Sequence, residues 1–267
     1  MRVLLLGGTT EASAMARLLA GQGVAAIFSY AGRTAAPRHQ PLPTRIGGFG
    51  GAEGLARYLT DQQITHVVDA THPFAARMSW NAHAACAAQA VPLIALQRPA
   101  WQAGPGDLWT RVAGIAGAVA ALPRAPTRVF LAIGRQHLAP FAALPHRWLL
   151  RLVDPPVATP EAAMATITNR AIPNRADPPL PRADLVIARG PFSPAEDRAL
   201  MAAHAITHLV AKNSGGAGAS AKLTAARDLG IRVVMIDRPA LPERPLCPTP
   251  EAVLDWLHQT APAPRGV

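Results

Sequence analysis

The amino-acid sequence predicts an α/β protein of two domains, each built around a mainly parallel sheet. Three observations carry that expectation. Short apolar runs alternate with segments of helical periodicity along nearly the whole chain, the signature of βαβ units. A length of 267 residues is room for two compact domains, and 50% hydrophobic against 16% charged residues is enough apolar surface for two cores. Glycine-rich or polar turns follow several of the apolar runs, where open α/β sheets carry their ligand loops.

The first strand is Arg2 to Leu6, and Gly7-Gly8-Thr9-Thr10-Glu11 leads from it into a helix through about Leu19, closed by Gly21 and Gly23. A second strand, Ala25 to Tyr30, ends at Ala31-Gly32-Arg33. The proline-rich stretch Pro37 to Pro43 precedes a short strand near Arg45-Ile46, and Gly47 to Gly51 opens a helix over Glu53 to Thr60. Strand His66 to Ala70, helix Phe74 to Gln89 and strand Pro92 to Leu96 complete a first, dinucleotide-binding domain, residues 1–97.

Proline and glycine then cluster in Arg98-Pro99-Ala100-Trp101 and Gly104-Pro105-Gly106, which marks residues 98–107 as a linker. The second domain, residues 108–260, repeats the alternation. Its strands are expected at Trp109–Val112, Arg128–Ile133, Trp148–Val153, Ala183–Ala188, Thr207–Ala211 and Ile231–Ile236. Its helices are expected at Ile115–Leu122, His137–Leu144, Pro160–Ala171, Pro194–Ala203, Ala219–Leu229 and Pro250–Gln259. Asn174 to Pro181 is too rich in proline for either state, and 261–267 is expected to be a frayed tail. Both domains read as Rossmann-like or flavodoxin-like.

Composition excludes several classes. Only Cys86 and Cys247 are present, far apart, with no C-x-x-C and no histidine cluster at ligand spacing, so neither a disulfide scaffold nor a metal site is expected. No apolar run reaches the 18 or so residues that span a bilayer; a cytoplasmic protein with no membrane partner is expected. The net charge of +10 rests on 24 arginines, with Lys212 and Lys222 the only lysines. Scattered arginines beside two Tyr and six Phe are a poor platform for stacked bases, so no nucleic-acid partner is expected. Guanidinium forks do suit a ligand with several carboxylates or phosphates. Nothing calls for a second copy, and a monomer fits the chain.

Five turns after strands are where chemistry is expected. Gly7, Gly8, Thr9, Thr10 and Glu11 join the first strand to the first helix, where glycines let a phosphate approach backbone N–H groups. The dinucleotide fingerprint G-x-G-x-x-G is incomplete, because Thr9 and Ala12 stand where glycines would, and simple helix capping is the competing reading. The second strand ends without the acid that binds a ribose diol and with Arg33 instead, which favours a 2′-phosphate and hence NADPH over NADH. Asp69-Ala70-Thr71-His72-Pro73 lines a site through Thr71 and His72, with His72 open to three roles: general acid, ribose donor or turn residue. Arg189 and Gly190 follow a second-domain strand. Lys212-Asn213-Ser214-Gly215-Gly216 with Lys222 surrounds a glycine-rich turn suited to an anion, although it is not a Walker A loop. With no nucleophile elbow and no catalytic cysteine pairing, the chemistry is expected to come from a cofactor.

Taken together, these motifs resemble the precorrin-6A reductases of cobalamin (vitamin B12) biosynthesis. The resemblance spans nearly the whole chain. It rests on Leu4-Leu5-Leu6-Gly7-Gly8-Thr9-x-Glu11, Asp69-Ala70-Thr71-His72-Pro73-Phe74-Ala75, Arg98-Pro99-x-Trp101, Gly134-Arg135, Arg189-Gly190-Pro191-Phe192, and Lys212-Asn213-Ser214-Gly215-Gly216 with Lys222. It implies an active site between two α/β domains, NADPH as cofactor, and the anionic tetrapyrrole precorrin-6A as substrate, reduced at one double bond to precorrin-6B. Gly7, Gly8, Thr9, Thr10, Glu11 and Arg33 would then hold the dinucleotide, joined by Thr71 and His72. Arg98, Arg135, Arg189, Gly190, Lys212, Asn213, Ser214, Gly215, Gly216 and Lys222 would bind substrate or phosphate. His72 is the candidate proton donor, beside a carboxyl group or water.

The alternatives are a cobalt-precorrin-6A reductase using NADH, a non-enzymatic tetrapyrrole carrier, and a short-chain or epimerase-type reductase. The last needs Tyr-x-x-x-Lys, and Thr34 and Gln62 stand four residues after the two tyrosines, Tyr30 and Tyr58.

Overall fold

The computed structural model describes residues 1–32, 38–153, 180–188 and 190–260. The chain divides into two compact units, Met1–Ala100 with Pro239–Val267, and Trp101–Arg238.

The first unit is built on a six-stranded parallel sheet. In chain order its elements are β1 (Arg2–Leu6), α1 (Thr10–Gly21), β2 (Ala25–Tyr30), β3 (Thr44–Ile46), α2 (Ala52–Asp61), β4 (His66–Asp69), α3 (Ala76–Ala88) and β5 (Leu93–Leu96). The order across the sheet is β12-β5-β4-β1-β2-β3, where β12 (Leu246–Cys247) comes from the far end of the chain. Strands of period two point alternate residues to opposite faces, and β1 shows it. Val3 and Leu5 pack with Met15 and Leu19 of α1, whereas Leu4 and Leu6 pack with Leu55 and Leu59 of α2. The helix Pro250–Thr260 also returns here, inserting Val253, Leu254 and Leu257 into the α1 side of the core.

The second unit carries β6 (Trp109–Val112), α4 (Gly114–Ala121), β7 (Arg128–Ala132), β8 (Arg147–Leu152), β9 (Ala183–Ile187), α5 (Pro194–Ala203), β10 (His208–Lys212), α6 (Ala221–Asp228) and β11 (Arg232–Ile236). Its six-stranded sheet runs β6-β11-β10-β7-β8-β9, again all parallel. Phe130, Leu149, Leu209, Val233 and Met235 form one face, covered by Met201 of α5 and Leu223, Ala225 and Ala226 of α6. Ser193 and Glu196 close a capping box at the start of α5. Below it the buried Asp197 carboxylate pairs with Arg151, whose guanidinium stacks 3.7 Å from the Phe192 ring.

Two expectations are corrected. The helix expected over His137–Leu144 is instead two 3-10 turns, Arg135–His137 and Ala139–Phe141. Pro140 lies within it, has no N–H to donate and clashes with the preceding turn. The second domain expected over 108–260 loses its last part: β12 pairs with β5, and the helix Pro250–Thr260, α7, packs on α1, both in the first unit. The helix expected over 160–171, most of the proline-rich segment 174–181 and the tail 261–267 lie outside the described residues.

Three histidines are expected to make the fold acid-sensitive. His66 and His146 are wholly buried, and burial lowers the pKa of both and of His208. The folded chain therefore resists protons that the unfolded chain accepts below about pH 6.5, so stability falls as pH drops through that value. Denaturant unfolding between pH 7 and 5 should show this decline, and it should be shallower in the His66→Gln/His146→Gln double variant. An unchanged slope in that variant would remove these residues from the account.

Candidate functional site

In sheets of this order, ligands bind at the carboxyl ends of the strands where the chain reverses direction across the sheet. In the first unit that point lies between β1 and β4, which are neighbours although β2 and β3 intervene in sequence. The Gly7 N–H still donates to Ser29 C=O at 2.9 Å, continuing the ladder with β2. A Cβ on Gly7 would meet the Phe28 ring at 2.1 Å, so the backbone lies against that ring with no room for a side chain. Gly8 has φ +122 with open space where a Cβ would be, so there the backbone conformation demands glycine. Thr9 caps α1, its Oγ1 accepting from Ala12 N–H at 3.0 Å, and the same hydroxyl donates to Ala70 C=O at 2.8 Å. One side chain thus joins the glycine turn to the loop after β4.

That second loop is organised by Asp69, buried at 2% exposure. Its carboxylate accepts from Thr71 N–H (3.2 Å), Thr71 Oγ1 (2.7 Å), Ser79 Oγ (2.6 Å) and Arg244 Nη2 (3.0 Å). The Thr71 hydroxyl is therefore turned inward, onto the carboxylate. His72 Nδ1 accepts from Phe74 N–H at 3.2 Å, so a neutral ring in this arrangement carries its proton on Nε2. Glu11, in the first turn of α1, pairs with Arg98 at 2.5 Å. An acid at this end of a helix opposes an incoming phosphate, and the guanidinium offsets it. Arg33 lies outside the described residues. Beside that segment, Tyr30 Oη donates to Arg38 C=O at 2.9 Å and accepts from Gln40, which also reaches Ser13 of α1.

In the second unit the reversal lies between β7 and β10. Gly134 (φ +80) and the exposed Arg135 follow β7, while Asn213, Ser214, Gly215 (φ +69) and Gly216 (φ +73) follow β10, so these two turns come together at the ends of adjacent strands. Lys212 ends β10 half-buried, and burial lowers its pKa to about 8. Lys222 is buried; its ammonium donates to Ala219 C=O and sits 5.1 Å from the Trp101 ring. The Asn213 carboxamide is engaged by the Trp101 backbone. Gly190 follows β9, three strands from β10 and so roughly 14 Å across the sheet at ordinary strand spacing. It belongs to a different part of the unit's edge, and Arg189 beside it lies outside the described residues.

Sequence reasoning missed Ser79, Arg244, Trp101 and Arg238 as site-organising residues, and left Asp69 as part of a motif without a role. An acid closing a buried strand, followed two residues later by threonine, is the local signal for Asp69. The partners of Asp69 from α3 and the returning chain leave no local signal. Among the described residues, no group of three or more His, Cys, Asp or Glu side chains is placed to hold a metal, and no helix is long and apolar enough to cross a membrane.

Two parallel sheets of this strand order, with glycine turns at their reversal points, place the protein among Rossmann-type α/β proteins. Within that class the chain belongs to the family described as Precorrin-6x reductase CbiJ/CobK, which it matches over residues 2–258. It is 58% identical to the precorrin-6A reductase of Rhodobacter capsulatus, over 100% of this chain and 99% of the relative. It is 45% identical to that of a Sinorhizobium species (98% and 95% covered) and 30% identical to the cobalt-precorrin-6A reductase of Priestia megaterium (90% and 91%). The solved structure of CobK precorrin-6A reductase superimposes with a TM-score of 0.88 at 57% identity, covering 100% of both chains. Membership makes the chain a reductase, and hence an oxidoreductase, as the sequence resemblance implied.

Proposed function

We propose that this chain catalyses the NADPH-dependent reduction of one double bond of the precorrin-6A macrocycle to give precorrin-6B, a step of cobalamin biosynthesis. The observation that carries the reading is the Thr9 hydroxyl bridging the glycine turn and the Thr71-His72 loop at the reversal point of the first sheet. Identity of 58% and 45% to precorrin-6A reductases, against 30% to a cobalt-precorrin-6A reductase, supports the metal-free substrate.

The residues fit a dinucleotide. Gly7 and Gly8 keep the turn free of side chains, Thr9 fixes the start of α1, and Arg98 offsets Glu11 where a pyrophosphate would lie. Arg33 is assigned to the 2′-phosphate. Bound there, NADPH supplies the hydride. The chain's own work is then positioning and charge: Asp69 and Phe74 N–H hold the Thr71-His72 loop so that His72 Nε2 presents a proton, and the basic residues of the second unit's turns, Arg135, Lys212 and Lys222 with Arg189, meet the substrate's carboxylates or a cofactor phosphate.

The direct test is NADPH against NADH binding to the purified protein, then addition of precorrin-6A while nicotinamide absorbance is followed. Oxidation of NADPH only when the tetrapyrrole is present is expected, and binding of neither nucleotide would overturn the reading. Arg33→Ala should weaken NADPH binding by roughly 1–3 kcal/mol, the scale of a lost charged hydrogen-bond partner, and leave NADH binding nearly unchanged. Equal losses for both nucleotides would remove Arg33 from the 2′-phosphate.

A further inference from the structure

The second unit begins at Trp101 and ends at Arg238, the two residues through which the chain enters it from the first unit and leaves again. One loop holds both. Asn213 Oδ1 accepts from Trp101 N–H at 2.8 Å, and Asn213 Nδ2 donates to Trp101 C=O at 3.0 Å. Trp101 Nε1 donates to Gly216 C=O at 2.8 Å. On the other side, Arg238 Nε donates to Asn213 C=O at 3.0 Å and its Nη2 to Ser214 C=O at 3.2 Å. The carboxamide is 4% exposed, and it pairs with Trp101 as one strand residue pairs with another.

We propose that Asn213 is a positioning residue for the reductase. Its carboxamide ties the connector 97–107, through the Trp101 backbone, to the Ser214-Gly215-Gly216 turn, while Arg238 reaches the same turn through the backbone carbonyls of Asn213 and Ser214, which do not depend on the side chain at 213. This rests on the reading above, in which that turn meets substrate carboxylates or a cofactor phosphate. The sequence read Asn213 as a ligand contact; the geometry points to the connector 97–107. Only a side chain that both donates and accepts at this reach satisfies Trp101 on both sides. Aspartate loses the donor and sets an anion against the Trp101 carbonyl, and alanine leaves both backbone groups unpaired. Because the turn and Trp101 share these bonds, anion binding at the turn and the order of 97–107 are expected to be coupled.

The test compares Asn213→Asp, Asn213→Ala and Trp101→Phe with the parent protein. Amide hydrogen exchange is measured without ligand, and kcat and KM are measured for NADPH and for precorrin-6A. Expected is about tenfold faster exchange in 97–107 for the Asn213 variants, the scale of one lost buried hydrogen bond, with 237–245, β1, β4, β7 and β8 unchanged. Trp101→Phe keeps the backbone pairing and should speed 97–107 less than the Asn213 variants do. In the Asn213 variants kcat should fall about tenfold while the KM for NADPH stays within about threefold. Exchange of 97–107 equal to the parent's overturns the proposal. So does a rise in the KM for precorrin-6A at constant kcat, which makes Asn213 a ligand contact. If both Asn213 variants fail to fold, Asn213→Gln, which keeps a donor and an acceptor but moves them by one methylene, takes their place: exchange of 97–107 equal to the parent's overturns the proposal and accelerated exchange supports it. The exchange measurement needs no nucleotide, so failure of the NADPH assignment is seen separately.

Discussion

Arg244→Ala is expected to lower the unfolding free energy by about 3–5 kcal/mol, the cost of leaving a buried charge without its partner. The side chains of Asp69 and Arg244 are 1% and 5% exposed, so water cannot replace the guanidinium. Three hydrogen-bond donations from Thr71 and Ser79 remain on the carboxylate, but none carries a compensating charge. Denaturant unfolding with an unchanged slope would report the loss as a shift in midpoint. Removing both charges in Asp69→Asn/Arg244→Ala should recover part of it, because the desolvated carboxylate is then gone. A single-variant loss under about 1 kcal/mol would mean that the hydroxyl and amide donors alone satisfy Asp69. NADPH binding should weaken as well, since the loop that Asp69 organises is bridged by Thr9 to the glycine turn.

Gly7→Ala is the second large effect. Its Cβ would meet two atoms of the Phe28 ring at 2.1 and 2.2 Å, and Phe28 is itself fully buried beneath α1. Overpacking of this kind costs about 1–3 kcal/mol. It would also push the turn away from the end of β1, so NADPH affinity should fall by more than the stability loss accounts for. Gly8→Ala is the informative neighbour: no atom obstructs it, yet its φ of +122 is unfavourable for alanine, a strain of about 1–3 kcal/mol. Phe28→Leu should ease Gly7→Ala and leave Gly8→Ala untouched, a coupling that a double-mutant cycle measures. Absence of that coupling would mean that the turn, and not the ring, sets the requirement at Gly7.

The sheet strands were legible because their patterns are local. Leu4 and Leu6 face one way and Val3 and Leu5 the other, and each run ends at a glycine or polar turn. The glycine turns at Gly7-Gly8 and Gly215-Gly216 were legible for the same reason. Contacts made across long stretches of chain were not. Arg244 meets Asp69 at a separation of 175 residues and Asn213 meets Trp101 at 112, with no periodicity to announce either. β12 has only two residues, set between Pro245 and Pro248, too short to show alternation; it exists because β5 offers it an edge. α7 was legible as a helix but not as part of the first unit, since amphipathicity does not name the core it will face. Lys222 illustrates the limit at the site: two lysines around glycines read as an anion cradle, and no local pattern announces that this ammonium also reaches Ala219 C=O and the Trp101 ring.

The order in which the strands are laid down bears on synthesis. Residues 101–238 are contiguous, so the second unit holds all six of its strands before the chain's last segment is made. The first unit, begun earlier, still lacks β12 and the α7 residues Val253, Leu254 and Leu257, each worth about 1.5–3 kcal/mol when buried. A chain ending at residue 238 is therefore expected to hold a complete second unit, whereas its first unit would lack an edge strand and the helix that covers part of its apolar face. A released chain truncated after residue 238 should accordingly resist protease in its second unit and be cut in its first.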